Sequence, residues 1–312
     1  MRTHLHAPPT RRLSATPLLR ACRPRQWSKN VLVLAAPCAA GVIAQPQVAV
    51  EVLAAFVVFC LLSSATYLLN DVRDLEQDRL HPRKRARPLA AGELSPRVAA
   101  SAAAVMGLAG LALASVVSPA LGAVGCVYLL LTASYSLLWR RVVVADIAAI
   151  AAGFVLRAVA GGAATDIALS RWFLLVTSWC AVFLVAGKRY GELSEGGVPT
   201  DEVGMGSPRD GTRSAARSTL RHYSTGSLRL VLSAAAALAS IAYAGWAFTR
   251  PQHGVWYVLS MVPFVLWLAR YAMLLGSGAG QAPEELILRD RLLLALSLAW
   301  VVLFLGSVYG AG

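Results

Sequence analysis

The chain has 312 residues, of which 57% are hydrophobic and only 14% are charged, with a mean hydropathy of +0.60. A soluble domain carries about 25% charged residues, so this composition excludes an ordinary soluble protein and indicates a membrane protein. The formal charge of +13 suggests an anionic partner, but the Lys and Arg residues cluster between apolar segments, which argues against nucleic acid and is typical of a multi-pass membrane protein.

A basic, proline-rich tail over residues 1–22 predicts disorder, and it is followed by nine apolar segments of roughly bilayer-spanning length. The chain is therefore predicted to be all-α and polytopic, with one transmembrane domain over 23–312 and a mobile cytoplasmic loop over 191–217. Because cytoplasmic loops collect Lys and Arg, we expect a cytoplasmic N-terminus and an external C-terminus. The first segment is short and contains Pro37, so eight spans is the alternative. The predicted spans are 30–45, 48–69, 98–117, 119–139, 142–162, 170–187, 227–249, 254–275 and 291–310.

A charged stretch begins where the second span ends, and it reads YLLNDVRDLEQDRLHPRKRARPLAAG from Tyr67 to Gly92. Asp71, Asp74 and Asp78 would share one face if the helix continued, and three carboxylates on one face repel each other. Such a cluster predicts a bound cation, and oxygen ligands favour Mg²⁺. The predicted ligands are Asn70, Asp71, Asp74 and Asp78. The alternative is a solvated, charged loop between two buried helices.

Basic and hydroxyl side chains surround this stretch. Lys84, Arg85 and Arg87 follow the acids and are predicted to contact phosphate oxygens that the metal does not bind. Tyr67 lies one turn below Asn70 and is predicted to hydrogen-bond a sugar or a phosphate, although an ordinary interfacial tyrosine fits as well. Lys29 lies where the first span begins, which suits either a phosphate contact or a side chain that reaches the headgroups.

A second polar cluster begins at Tyr135 and Arg140, which mark a turn between two helices. Asp146 and Arg157 follow within the fifth span, eleven residues and roughly 16 Å apart on one face. Ionisable groups within a membrane helix usually face a cavity, so we predict a polar stripe that descends into one. The alternative is that Arg157 reaches outward to the headgroups. The next span ends in a third polar group, formed by Lys188, Arg189 and Glu192.

The segments NDVRDLEQD and KRARPLAAG resemble the first aspartate-rich motif of the UbiA superfamily of intramembrane prenyltransferases, and the similarity extends from RPRQWSKN to the last helix. The resemblance implies a UbiA-like bundle around a cytoplasm-facing cavity, and it favours the phosphate contact for Lys29. The second aspartate-rich motif of that superfamily is absent, because Lys188 and Arg189 stand where its acids would be. GKRYGEL, RAVAGG and SRWFLL resemble the decaprenyl-phosphate phosphoribosyltransferase branch.

This resemblance implies a Mg²⁺-dependent transfer of 5-phosphoribose from phosphoribosyl diphosphate to a polyprenyl phosphate, giving a lipid-linked precursor for cell-wall arabinan. The expected location is the plasma membrane, with the active site facing the cytoplasm, no nucleic-acid partner, and homo-oligomerisation left open. The alternatives are an aromatic prenyltransferase of the same fold and a polytopic lipid transporter.

The acids with a catalytic role would be Asp71, Asp74 and Asp78. The substrate-binding residues would be Lys29, Tyr67, Lys84, Arg85, Arg87, Tyr135, Arg140, Asp146, Arg157, Lys188, Arg189 and Glu192.

Overall fold

The computed structural model describes residues 15–82, 84–139, 143–195, 224–249, 254–276 and 283–309, and every regular element within these ranges is helical. The predicted all-α fold is thus confirmed for the described part of the chain. Two 3-10 helices (Pro24–Leu34 and Lys84–Ala86) and one π-helical turn (Tyr135–Trp139) interrupt the α-helices. The α-helices are α1 (Ala15–Ala21), α2 (Ala35–Ala40), α3 (Pro46–Arg73), α4 (Leu75–Leu80), α5 (Pro96–Val117), α6 (Pro119–Ser134), α7 (Val143–Ala164), α8 (Arg171–Glu195), α9 (Thr225–Phe248), α10 (Gly254–Gly276), α11 (Pro283–Arg289) and α12 (Arg291–Tyr309).

Eight helices of the described residues are long and apolar enough to cross a bilayer, namely α3, α5, α6 with its π-turn, α7, α8, α9, α10 and α12. A helix of 20 residues rises about 30 Å, which is the thickness of the hydrocarbon core. Helix α8 runs to Glu195, past its predicted end at residue 187, so the first residues of the predicted mobile loop are helical. The rest of that loop, 196–217, lies outside the described residues.

The first predicted span, 30–45, is not one long α-helix. The chain there forms the 3-10 helix Pro24–Leu34 and then α2, which stops at Gly41 because that glycine adopts a left-handed conformation with φ 75°. Eleven residues of 3-10 helix followed by six of α-helix rise roughly 31 Å together, which is comparable to a span. The predicted helix is therefore replaced by a narrower, more extended segment of similar length.

The prediction of disorder over 1–22 needs a correction at its C-terminal end. Residues 15–21 form α1, and Ala21 and Cys22 are buried against α3 and α5 in a cluster that includes Leu68 and Leu94. Burial raises the pKa of the Cys22 thiol, so this side chain packs as a small neutral group. Leu18, Ala21 and Cys22 supply the apolar surface that packs this segment against the bundle.

Close packing of the 3-10 helix against α7 depends on a glycine. A Cβ atom added at Gly161 would lie 1.9 Å from the carbonyl oxygen of Val33, so no other residue fits there without moving the backbone. Val33 and Ala160 are fully buried at this contact, together with Phe59 of α3. The contact holds Asn30, one turn earlier in the 3-10 helix, against the middle of α7.

The orientation of the bundle is expected to follow its positive charges. In a background without the five native cysteines, we expect Glu76→Cys to react with a membrane-impermeant thiol reagent only from the cytoplasmic side. Ala168→Cys, between α7 and α8, should react only from outside, because an odd number of spans separates the two positions. Both positions are exposed, Glu76 to 81%. Labelling of Glu76→Cys in intact cells would contradict the orientation.

Candidate functional site

A cavity of about 190 Å³ lies between α3, α6, α7 and the N-terminal 3-10 helix. Its walls include five of the residues that the sequence predicted as site residues: Lys29, Tyr67, Asn70, Tyr135 and Arg157. They also include Thr66, Tyr128, Thr132 and Ser136, so hydroxyl groups face the cavity from two helices. No Asp or Glu is among the described residues that line it. The cavity is therefore cationic, and its walls combine these polar side chains with a larger apolar surface.

The carboxylate motif is split by a helix break. Helix α3 ends at Arg73, and Asp74 adopts φ −90° and ψ 11° before α4 begins at Leu75. The prediction that Asp71, Asp74 and Asp78 share one face required an unbroken helix. The break instead separates Asp71 and Asp78, which face inward among cations, from Asp74.

Asp71 and Asp78 are buried in an ion-pair network. The side chains of both acids are at most 3% exposed, and both contact Arg87 Nη1, at 3.1 Å from Asp71 Oδ1 and 2.5 Å from Asp78 Oδ2. Arg23 lies 2.5 Å from Asp71 Oδ1, and Lys84 lies 3.9 Å from Asp78. Asp71 Oδ2 is buried and accepts no hydrogen bond from the described residues. These cations neutralise the repulsion that the acids would otherwise suffer.

Asn70 and Asp74 lie beside this network, where α3 meets the π-turn after α6. Ser136 Oγ donates to Asn70 Oδ1 at 2.8 Å, and Arg73 donates to the Ser136 carbonyl oxygen. Arg73 also lies 3.1 Å from Asp74 Oδ1. Asn70 faces the cavity, so Ser136 fixes the orientation of an oxygen ligand at the cavity mouth.

The structure does not bring the four predicted metal ligands together, since no group of three or more acidic, His or Cys side chains suited to a metal forms among the described residues. The oxygen atoms nearby that suit a hard cation are those of the Asn70 amide and the Asp74 carboxylate, and Asp71 Oδ2, which accepts no hydrogen bond from the described residues. Mg²⁺ is commonly held by one or two carboxylates plus substrate phosphates, so the chemistry of these donors, rather than a preformed cluster, fits a Mg²⁺ ion that shares its coordination with a diphosphate.

Asp146 is placed away from the cavity lining, in a second buried pair. Arg189 binds its carboxylate through two nitrogens, Nε at 2.6 Å and Nη2 at 2.8 Å, and Tyr135 donates its hydroxyl hydrogen to Asp146 Oδ1. Arg189 Nη1 also lies 2.7 Å from Glu192, which is 4.0 Å from the more exposed Lys188. The predicted polar stripe is thus interrupted: Asp146 anchors α7 to α8 and orients Tyr135, and only Arg157 faces the cavity.

Arg157 is 6% exposed and does not reach outward. Its Nε donates to Asn30 Oδ1 at 2.8 Å, its Nη1 to the Gly153 carbonyl at 2.6 Å, and its Nη2 to Tyr128 Oη at 3.0 Å. The ring of Tyr128 lies 5.0 Å from the guanidinium carbon, close enough for a cation–π contact.

Two predicted phosphate-binding residues, Arg85 and Arg140, are not among the described residues that line the cavity. Arg85 is exposed on the 3-10 turn Lys84–Ala86, and Arg140 lies outside the described residues. The sequence reasoning missed Arg23, Asn30, Tyr128 and Ser136. Arg23 and Asn30 stand at the two ends of RPRQWSKN, a segment that the resemblance to a family had marked without assigning these two residues a role.

Comparisons with known proteins agree with this architecture. Residues 31–294 match the model of the UbiA prenyltransferase family. The chain is 43% identical to a decaprenyl-phosphate phosphoribosyltransferase of Corynebacterium glutamicum over 94% of this chain and 86% of that protein. It is 42% identical to the protein of that name from Mycobacterium tuberculosis, over 91% of each.

A solved structure of a UbiA homolog from Archaeoglobus fulgidus bound to DMAPP and Mg²⁺ aligns with a TM-score of 0.68 at 17% identity, covering 94% of this chain and 98% of that one. A digeranylgeranylglyceryl phosphate synthase aligns with a TM-score of 0.66 at 16% identity, over 95% of this chain and 99% of that one. These likenesses show a shared fold. The match of residues 31–294 to the family model, together with relatives at 42–43% identity over most of the chain, shows that the chain belongs to the UbiA prenyltransferase family.

Proposed function

We propose that this protein transfers 5-phosphoribose from 5-phosphoribosyl 1-diphosphate to a polyprenyl phosphate and releases diphosphate. The names of the relatives, at 42–43% identity over most of the chain, support this. The observation that carries the proposal is the cationic cavity, which is lined by Lys29 and Arg157 and by no acid among the described residues. A prenyl diphosphate would place hydrocarbon there, whereas a sugar phosphate would place hydroxyl and phosphate groups.

The reaction needs no general base. A phosphate oxygen of the lipid, already ionised at neutral pH, attacks C1 of the ribose while the bond from C1 to the diphosphate oxygen breaks. The electron pair of that bond leaves with the diphosphate, and a single displacement converts the α-linked donor into a β-linked product. Positive charge develops at C1, as in other glycosyl transfers.

Asn70 and Asp74 would hold the metal, with Asp71 Oδ2 within the same helix end. Bound Mg²⁺ neutralises charge on the leaving diphosphate as a Lewis acid. The chain itself supplies orientation: Ser136 fixes the Asn70 amide, and Asp146 fixes the Tyr135 hydroxyl. These hydrogen bonds hold both side chains in one orientation, which limits the reorganisation that the reaction requires.

The location follows from the same proposal. The protein would lie in the plasma membrane with its site facing the cytoplasm. The positively charged loops are expected on that side, and the water-soluble phosphoribosyl diphosphate would bind from there. The lipid acceptor would enter from the bilayer, and its product would be a lipid-linked phosphoribose that serves as a precursor for cell-wall arabinan.

The test is to incubate detergent-purified protein with radiolabelled phosphoribosyl diphosphate and decaprenyl phosphate, with and without Mg²⁺. We expect label to appear in the lipid fraction only when Mg²⁺ is present. Parallel incubation with a prenyl diphosphate and an aromatic acid tests the alternative chemistry of the family. Prenyl transfer without phosphoribose transfer would show that the proposed substrates are wrong.

A further inference from the structure

The cavity has two chemically different ends. Tyr128 and Arg157 are hydrogen-bonded to each other at one end, and Asn70 and Ser136 are hydrogen-bonded at the other. The lining residues of α7 run from Ala149 to Arg157, eight residues and about 12 Å of helix. The cavity is therefore a slot, with the oxygen donors for a metal at its mouth and a guanidinium at its inner end.

The guanidinium at the inner end lacks an anionic partner within the described part of the chain. Its contacts there are an amide oxygen, a carbonyl oxygen and a phenol oxygen, all neutral acceptors. A guanidinium has five N–H donors, and these contacts use three of them. A charged side chain inside a membrane span is costly and is usually paired or faces a ligand path. The two remaining donors and the unbalanced charge favour an anion in the slot.

Resting on the proposed function, we propose that Arg157 binds the 5-phosphate of phosphoribosyl diphosphate, so that the donor lies along the slot with its diphosphate at Asn70 and Asp74. The donor carries its diphosphate on C1 and its phosphate on C5, on opposite sides of the ribose ring, which matches a slot with one polar site at each end. The planar guanidinium suits bidentate binding of phosphate oxygens.

The walls between the two ends favour a sugar phosphate over a lipid phosphate. Thr66, Tyr67 and Thr132 also line the cavity; Thr66 and Thr132 donate their hydroxyl hydrogens to the carbonyls of Leu62 and Tyr128, which leaves their oxygens as acceptors for sugar hydroxyl groups. If a lipid phosphate bound at Arg157 instead, its hydrocarbon tail would lie against these groups and against Lys29. The tail would remove water from these polar groups without replacing the hydrogen bonds that water makes. The acceptor phosphate then reaches C1 from the mouth of the slot.

The variants Arg157→Gln and Arg157→Met test this assignment, with Arg171→Gln as the matched control. Arg171 also contacts an aromatic ring, at 5.4 Å from Trp172, but it lies at the start of α8 and does not line the cavity. Dissociation constants of phosphoribosyl diphosphate, ribose 5-phosphate and inorganic diphosphate are measured calorimetrically in detergent with Mg²⁺. The KM for decaprenyl phosphate and the melting temperature of the ligand-free protein are measured alongside.

We expect both Arg157 variants to bind phosphoribosyl diphosphate and ribose 5-phosphate about 10- to 100-fold more weakly, the factor that loss of a charged hydrogen bond gives. Inorganic diphosphate should bind within twofold of wild type, because its site is at the other end. The melting temperature should stay close to that of wild type, since removal of a buried charge offsets the loss of its hydrogen bonds to Asn30, Gly153 and Tyr128. The control should match wild type in every measurement.

Three results would overturn the assignment. One is unchanged affinity for both sugar phosphates. Another is an equal loss of diphosphate binding with a lowered melting temperature, which would make Arg157 a structural residue. The third is a raised KM for decaprenyl phosphate alone, which would place the lipid phosphate at Arg157. Failure of the proposed function is read separately on the wild-type protein, as an absence of phosphoribosyl diphosphate binding and of phosphoribose transfer.

Discussion

Asp74→Asn is expected to lower turnover by at least about 10²–10³-fold, the loss that follows removal of one stabilising group at a developing charge. The substitution keeps the shape of the side chain and removes the negative charge that a Mg²⁺ ligand supplies. Asp74 is the acid best placed for this role, because it terminates α3 next to Asn70 and its carboxylate lies outside the buried network of Asp71 and Asp78, beside Arg73. Turnover is measured as transfer of radiolabelled phosphoribose to lipid at saturating Mg²⁺.

Metal binding supplies a readout that does not depend on turnover. Titration with Mn²⁺ in place of Mg²⁺, followed by electron paramagnetic resonance, should show weaker binding to Asp74→Asn than to wild type. Glu76→Gln is the control, since Glu76 is an acid two residues away that is 81% exposed and pairs with Arg79. Near-normal turnover and Mn²⁺ binding in Asp74→Asn would mean that the motif is a structural ion-pair network only.

Asp146→Ala is expected to destabilise the protein by about 3 kcal/mol, the lower end of the cost of removing one partner of a buried pair, because Arg189 keeps the more exposed Glu192 as an anionic partner. The side chain of Asp146 is 1% exposed and that of Arg189 is 20% exposed, so water does little to replace the lost contacts. The loss should appear as a lower melting temperature of the detergent-purified protein, followed by intrinsic fluorescence. Weaker binding of phosphoribosyl diphosphate should accompany it, since Tyr135 loses the acceptor that orients its hydroxyl.

Two further variants separate charge burial from a general packing defect. Asp146→Leu combined with Arg189→Met should recover most of the lost stability, because a hydrophobic pair of similar volume often replaces a buried ion pair without loss. Glu192→Gln should have a much smaller effect, as Glu192 is 26% exposed and Arg189 keeps Asp146 as its partner. A melting temperature of Asp146→Ala equal to that of wild type would contradict the anchoring role.

The sequence alone determined the membrane class, the helical fold and most of the spans. Long apolar runs can satisfy their backbone hydrogen bonds in a bilayer only by forming helices within the run, so length and composition suffice to locate them. The span over 30–45 was the exception, since the chain there begins in a 3-10 helix, Pro24–Leu34, and the short α-helix that follows stops at Gly41, whose φ is 75°. The motif around Asn70 was also readable, because its residues are neighbours in the chain.

The tertiary structure decided how those residues divide and which partners they have. A local break at Asp74 placed Asp71 and Asp78 against Arg23 and Arg87, and spacing on an unbroken helix could not anticipate it. The pairing of Arg157 with Asn30 joins residues 127 positions apart, and that of Asp146 with Arg189 joins residues 43 apart. Such contacts depend on which helix faces pack together, as at Gly161 and Val33, and a periodic pattern within one helix carries no information about its neighbour.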